Sequence, residues 1–256
     1  MMANEKVFTA KASDYAASRP SYAAAAIDRI VSKMLKEGGL VADVGSGTGI
    51  FSKEFLLRGY EVFAVEPNEA MRLEAEKLYG QNALFHSVAA TAESTGLPAG
   101  SISLVTAASA FHWFDVPRFY EECRRILKSD GIVCILANAR IYDSFTEKQH
   151  QICRQYCPGY TSLTHGVEKM LRDAEAFFKG AFCVERFDYP LHFTKQKFIA
   201  RSLSSSYAPE KGTADCEGYA QALRSLLDDT YPDDEIIIAN ETVMLWGALC
   251  QENGLQ

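Results

Sequence analysis

The sequence predicts an α/β fold: a seven-stranded, mainly parallel sheet with an antiparallel last strand, helices on both faces and helical cap insertions. Three observations carry this expectation. Up to residue 138, short apolar runs alternate with amphipathic ones, the rhythm of strand and helix in a parallel sheet. The first of these runs ends in a glycine-rich turn. Beyond residue 183 the strand-like runs lose that rhythm, which suits an antiparallel edge better than a sixth parallel unit.

Taken in order, residues 40–44 form a short apolar run closed by glycines, and residues 50–58 place Phe51 and Phe55 one turn apart before Gly59. They read as strand, tight loop and helix. Residues 61–65 repeat the strand, ending in Glu66-Pro67-Asn68, after which Met71, Ala75 and Leu78 recur at helical spacing. Residues 83–88 and 102–108 are the third and fourth strands, the latter preceded by the turn-rich residues 96–100. Asp115 caps a helix whose Phe119, Cys123, Ile126 and Leu127 form one stripe, and that helix stops before Gly131. Residues 132–138 are apolar on both faces, as a central strand should be.

Residues 140–181 read as a helical cap broken at Pro158-Gly159. Alternation resumes over residues 184–193, with Phe187, Tyr189, Leu191 and Phe193 on one side and a wet face opposite. Asp215 caps a helix bearing Tyr219, Leu223, Leu226 and Leu227 that ends before Pro232, and residues 236–249 hold the last strand. The expected organisation is one domain over 1–256. Its core spans 1–138, its caps 139–182 and 194–232, and its closing strands 183–193 and 233–250.

Composition narrows the partners. With 256 residues, 48% hydrophobic and 23% charged, and only 17 Gly and 8 Pro, the chain can bury a core without disulfide or metal, and disorder or collagen-like structure is excluded. The formal net charge of −7 opposes binding to nucleic acid or anionic membrane. Residues 1–6 are polar and show no signal peptide, so a cytoplasmic protein is expected. The longest sheet-like apolar run, residues 132–137, is far short of the roughly 18 to 20 residues a membrane helix needs. Seven scattered Cys suit reduced, buried thiols. Cys153 and Cys157 lie one helical turn apart with His150 and His165 nearby, but no second closely spaced ligand pair follows. No metal is expected.

The strongest constellation is Asp43-Val44-Gly45-Ser46-Gly47-Thr48-Gly49, between a strand and a helix. Glycines at alternate positions let the backbone turn sharply and approach a ligand that a Cβ would obstruct. Glu66, at the end of the next strand, can accept both hydroxyls of a ribose, so loop and acid together suggest a nucleoside. Dinucleotide sites favour GxGxxG with a helix N-terminus free for pyrophosphate. Here the frame is DxGxGxG with Ile50 at the third glycine's place. An acid within the loop disfavours a diphosphate and suits a cation, which points to S-adenosylmethionine over a nicotinamide cofactor.

On these residues the sequence resembles the class I S-adenosylmethionine-dependent methyltransferases, whose sheet is Rossmann-like. Asp43 to Gly49 is similar to their glycine motif, Glu66-Pro67-Asn68 to the ribose-binding acid, and Ala92-Glu93 with Leu97-Pro98 to the adenine-side loop. Tyr15-Ala16-Ala17-Ser18-Arg19-Pro20 and Phe111-His112-Trp113-Phe114-Asp115 narrow the resemblance to the small-molecule group that includes trans-aconitate methyltransferase (methyltransferase type 11). Two departures stand out: Ser46 replaces a common Cys or Ala, and Ser109 stands where Gln often precedes the aromatic motif.

The resemblance implies methyl transfer from S-adenosylmethionine, leaving S-adenosylhomocysteine, to a small-molecule acceptor such as a carboxylate or hydroxyl. It places Tyr15, Arg19, Asp43, Gly45, Ser46, Gly47, Gly49, Glu66, Pro67, Met71, Ala92, Glu93, Ala107 and Ser109 around the cofactor. His112, Trp113 and Tyr142 fall on the acceptor side. Arg19 either reaches the methionine carboxylate through its planar fork or simply ends the first helix with Pro20. His112 is either a general base, needed for a hydroxyl acceptor, or a positioning group. Two other functions share the motif: a nicotinamide-dependent oxidoreductase, and a sensor that binds the nucleoside without turnover. Oligomeric state is not readable from the sequence.

Overall fold

A computed structural model describes residues 20–161, 165–205 and 207–249. In chain order the elements are α1 (Ala24–Met34), β1 (Val41–Val44), α2 (Ser52–Leu56), β2 (Val62–Val65), α3 (Glu69–Tyr79), β3 (Phe85–Val88) and β4 (Ile102–Ala108). A 3₁₀ turn (Phe111–Trp113), α4 (Val116–Ile126) and β5 (Leu127–Arg140) follow. The remainder comprises α5 (Ser144–Tyr156), α6 (His165–Phe177), β6 (Cys183–Asp188), β7 (Leu191–Thr194), α7 (Lys195–Leu203), α8 (Ala214–Thr230), β8 (Glu235–Ile238) and β9 (Asn240–Gly247).

Seven strands form one sheet in the order β3-β2-β1-β4-β5-β9-β6. β1 pairs in parallel with β2 and β4, β2 with β3, and β4 with β5. β9 and β6 run antiparallel. The last strand is therefore antiparallel as expected, but it lies inside the sheet, and β6 takes the edge.

The chain divides into two compact units. One holds the residues up to Ala137, then Lys169–Phe187 and the stretch from Thr242; the other holds Asn138–Glu168 and Asp188–Glu241. In the first unit Ile27, Ile30, Phe51, Phe55, Val62, Leu104, Leu136 and Met244 share one buried cluster. The apolar stripe of α1 supplies Ile27 and Ile30 with Ala26 and Met34, as helical periodicity requires. In the second unit Phe145, Phe198, Tyr219, Leu223, Leu227, Ile236 and Ile238 form a separate core. The segment 139–182, expected as one cap, divides between the units at Lys169.

Both closing segments also differ from the sequence expectation. Residues 184–193 are two strands, β6 and β7, broken at Tyr189-Pro190, where proline removes a ladder donor. Residues 236–249 likewise split into β8 and β9 at Ala239. β7 and β8 pair antiparallel in a two-stranded sheet of their own, Leu191 opposite Ile238 and Thr194 opposite Glu235. The two breaks are stitched together: Tyr189 N–H donates to the Asn240 carbonyl at 2.8 Å, and the Asn240 amide donates to the Tyr189 carbonyl at 3.1 Å. The common apolar face read over 184–193 thus has two destinations, Phe187 on the first core and Leu191 with Phe193 on the second. β5 begins at Leu127 rather than 132, because Leu127 already pairs with Ile102 before the register shifts to Leu104 opposite Ile132. Among the described residues no helix is long and apolar enough to cross a membrane.

Candidate functional site

The sheet order reverses between β1 and β4, and in open parallel sheets ligands bind at the carboxyl ends of the strands beside such a reversal. The glycine loop occupies that place. Gly45 and Ser46 both donate to the Val65 carbonyl, at 2.8 and 3.1 Å, which fastens the start of the loop to the end of β2. Gly45, Gly47 and Gly49 all have positive φ, at 70, 56 and 79°. They differ in what a side chain would meet. A Cβ at Gly45 would lie 2.5 Å from Ala110 Cβ, and one at Gly49 would lie 2.8 Å from the Tyr79 ring. A Cβ at Gly47 would enter open space, so there glycine keeps a concavity clear. Two hydroxyls of the same loop, Ser46 Oγ and Thr48 Oγ1, are buried without a hydrogen-bond partner. Buried polar groups are nearly always paired, so these two fit a ligand seated on the loop.

Glu66 reaches the loop directly. Its Oε2 accepts from the Gly47 N–H at 3.0 Å and its Oε1 from the Asn68 N–H at 2.9 Å. Burial raises its pKa, opposed by those two backbone bonds and by Arg72. An ionised carboxylate offers about four lone-pair positions, so two remain after these bonds. Arg72 donates to the Glu66 and Pro67 carbonyls at 2.9 and 2.8 Å. Asn68 caps α3 by accepting from Met71 N–H, and Met71 is buried beneath.

Asp43 takes a different position from the one expected of an acid facing a cation. It lies within β1, fully buried, where strand register sets it opposite Thr106 of β4. Its Oδ2 accepts from Ser52 Oγ at 2.6 Å and its Oδ1 from Thr106 Oγ1 at 2.9 Å. Burial pushes its pKa up to about 6 against the pull of those hydroxyls. Asp43 therefore ties the loop's root to α2 and β4.

On the other side of the reversal, Ala107 is buried in β4, and Ser109 just beyond it holds φ 56°, unusual for a residue with a side chain. Its N–H donates to the Leu136 carbonyl at 2.8 Å, and its Oγ accepts from the Tyr22 hydroxyl at 3.0 Å. The 3₁₀ turn follows, with the His112 and Trp113 rings 4.6 Å apart and Trp113 54% exposed. Ala92 is buried, and Glu93 Oε1 accepts from the Asp115 N–H at 2.9 Å, which joins the loop after β3 to the end of the aromatic motif. Thr95 donates from its N–H and its hydroxyl to Glu122 on α4.

The structure thus brings together Gly45, Ser46, Gly47, Gly49 and Glu66, and Glu93 with the His112–Asp115 segment, whose Phe114 ring closes on Gly45. Tyr142 belongs to the second unit, exposed, its hydroxyl donating to Glu147. Tyr15 and Arg19 lie outside the described residues. Sequence reasoning missed Thr48, Ser52, Thr106, Tyr22 and Glu122. Thr48 was legible as the loop's second hydroxyl; Thr106 is known only from strand register, and Ser52, Tyr22 and Glu122 only from tertiary hydrogen bonds to Asp43, Ser109 and Thr95. Cys153 and Cys157 are buried in the second unit, and Cys153 Sγ lies 3.5 Å from the Tyr219 hydroxyl.

Residues 42–135 match the family model described as a methyltransferase domain, so the resemblance read from the glycine loop extends over that segment. A Dictyostelium discoideum protein named as a methyltransferase is 34% identical over 117 residues, covering 46% of this chain and 43% of that protein. The chain spans less than half the length of that relative. An uncharacterized methyltransferase-like protein of Schizosaccharomyces pombe is 25% identical over 246 residues, 93% of each chain. A solved structure from Anaeromyxobacter dehalogenans named as a type II methyltransferase superposes with a TM-score of 0.66 at 22% identity, covering 91% of this chain and 99% of that one. The chain accordingly has the Rossmann-like fold of such structures.

Proposed function

We propose that this chain binds S-adenosylmethionine on the Gly45–Gly49 loop and transfers its methyl group to a small-molecule acceptor. The observation that carries this reading is the pairing of Glu66 with Gly47 beside two buried, unpartnered hydroxyls, Ser46 and Thr48. Glu66 has lone pairs left for a ribose diol. Gly47 leaves room for the methionine portion, and Ser46 and Thr48 supply hydroxyls for its polar groups. Ala92 and Glu93 stand on the adenine side, with Ala107 at the end of β4 and Ser109 just beyond it. When bound, the cofactor supplies a methyl group already activated by sulfonium charge. The protein then has to align the acceptor and exclude water.

His112 and Trp113 are assigned to the acceptor side. A carboxylate acceptor needs no base at neutral pH, and His112 then positions it; a hydroxyl acceptor uses His112 to take the proton. A small acceptor is favoured by the net charge of −7, which opposes nucleic acid.

Calorimetry with S-adenosylmethionine, S-adenosylhomocysteine and NADH tests the cofactor. Mass spectrometry of a metabolite extract then seeks products heavier by one methyl group. Binding of the two adenosyl compounds together with a methylated product is expected. Binding of NADH alone overturns the reading, and tight cofactor binding without product in any extract makes the protein a sensor.

A further inference from the structure

Arg140 ends β5 in the second unit, and among the described residues no carboxylate forms an ion pair with it, Asp143 acting only at longer range. Its Nη1 is buried without a hydrogen-bond partner, and the guanidinium lies 5.9 Å from the centre of the Phe198 ring. Among the charged and titratable groups around it are Arg201, Tyr207, Asp143, Tyr231 and the Cys153 thiol. Arg201 repels it. Asp143 turns Oδ1 to the Thr146 N–H at 2.7 Å, capping α5, and forms no ion pair with Arg140. The Tyr231 hydroxyl donates to the Ile237 carbonyl at 3.0 Å. A guanidinium keeps its proton at any ordinary pH, so deprotonation cannot relieve the site, and a buried cation without an anion is costly.

A second unpaired atom occurs in the same unit. Gln149 is 2% exposed, and its Oε1 has no partner. It belongs to the buried face of α5 with Phe145, Thr146 and Cys153. One donor and one acceptor are left unanswered.

We propose that Arg140 anchors a small-oxyanion site in the second unit, its planar fork taking a carboxylate or phosphate group against the Phe198 ring. The fork matches both anions in bidentate geometry. This site stands on the second unit's own residues and holds whether or not the first unit transfers methyl groups.

The test titrates the full chain with sodium malonate and with inorganic phosphate at constant ionic strength, against sodium chloride as control, following binding by calorimetry and melting temperature. The wild type is expected to bind at least one of the two and to melt higher in its presence. A stronger response to malonate identifies a carboxylate ligand, and a stronger response to phosphate a phosphorylated one. Arg140→Met, which keeps an apolar stem on Phe198, should weaken binding at least tenfold with its circular dichroism unchanged. Arg140→Lys keeps the charge but not the fork; it serves if the Met variant fails to fold and should also lose affinity. S-adenosylhomocysteine titrated into the same variants should bind as in the wild type, which separates this site from the glycine loop. No response in the wild type beyond chloride, or equal binding by wild type and either folded variant, overturns the proposal.

Discussion

At the scale of single residues the two acids of the first unit have opposite duties, and each has its own measurement. Asp43 is a buried carboxyl whose folded pKa, pushed by burial to about 6, lies above its ordinary 3.8. Between those values the native state holds a proton that the unfolded chain has released, so stability falls as pH rises through the window and the loss is complete above it. A gap of about two units corresponds to about 3 kcal/mol. Asp43→Asn, which keeps the shape and removes the charge, is expected to be up to about 3 kcal/mol more stable than the wild type at pH 7. The difference should vanish below pH ~4, the ordinary carboxylate range. Urea titrations at both pH values read this directly, and equal pH slopes in the two proteins would place the buried proton elsewhere. Glu66 is only partly enclosed and faces the loop. Glu66→Gln retains one acceptor for the Gly47 and Asn68 N–H groups and none of the charge. Hydrogen bonds to a charged group contribute about 1.5–3 kcal/mol, so S-adenosylhomocysteine should bind at least tenfold more weakly by calorimetry. Unchanged affinity would remove Glu66 from the cofactor site.

At the scale of elements, α4 acts as a latch for the loop that follows β3. Glu122 accepts from Thr95 N–H at 2.7 Å and from Arg125 Nη2 at 2.7 Å, while Arg125 Nη1 donates to the Leu97 carbonyl at 2.8 Å. Burial opposes the Glu122 charge, but Arg125 and Thr95 outweigh it and lower its pKa from 4.5. The stabilisation is therefore present above that value and fades as pH falls through the folded pKa. Glu122→Gln should cost about 2 kcal/mol at pH 7 and progressively less as pH falls below the ordinary carboxylate range, as urea midpoints would show; a constant deficit would mean that shape rather than charge is lost. The sequence disclosed this loop as a turn over residues 96–100 and, through the resemblance, as the adenine-side loop, but not its bonds to α4. It disclosed what is local: residues 102–108 coincide with β4, and the glycine loop with Glu66 declares itself through spacing. It could not disclose what depends on strand neighbours, such as the Thr106 hydroxyl on Asp43 across 63 residues. Alternation over 184–193 identified a common apolar face, but period two is blind to which sheet a strand joins, so the switch at Pro190 and its counterpart at Ala239 stayed hidden. The division of the first cap at Lys169 was hidden for a similar reason, since an amphipathic helix shows that it has a buried face without naming the partner.

At the scale of the whole molecule, the chain passes between two units at four points, 137/138, 168/169, 187/188 and 241/242, and each unit has a buried core of its own. Separate cores permit separate opening, because cooperative units exchange with solvent according to their own local stability. A ligand stabilises only the states that bind it, by about 2.7 kcal/mol at a hundredfold excess over Kd. The glycine loop and Glu66 belong wholly to the first unit, so S-adenosylhomocysteine at that excess should slow amide exchange in β1, β2 and β4 by up to about a hundredfold and leave β7, β8 and α8 near their unliganded rates. Malonate or phosphate, acting through Arg140, should produce the reverse pattern. Hydrogen exchange followed by mass spectrometry on the same preparation measures both. Equal slowing in the two units by either ligand would show that they open as one cooperative body, and slowing confined to β7 and β8 with S-adenosylhomocysteine would move the cofactor away from the glycine loop.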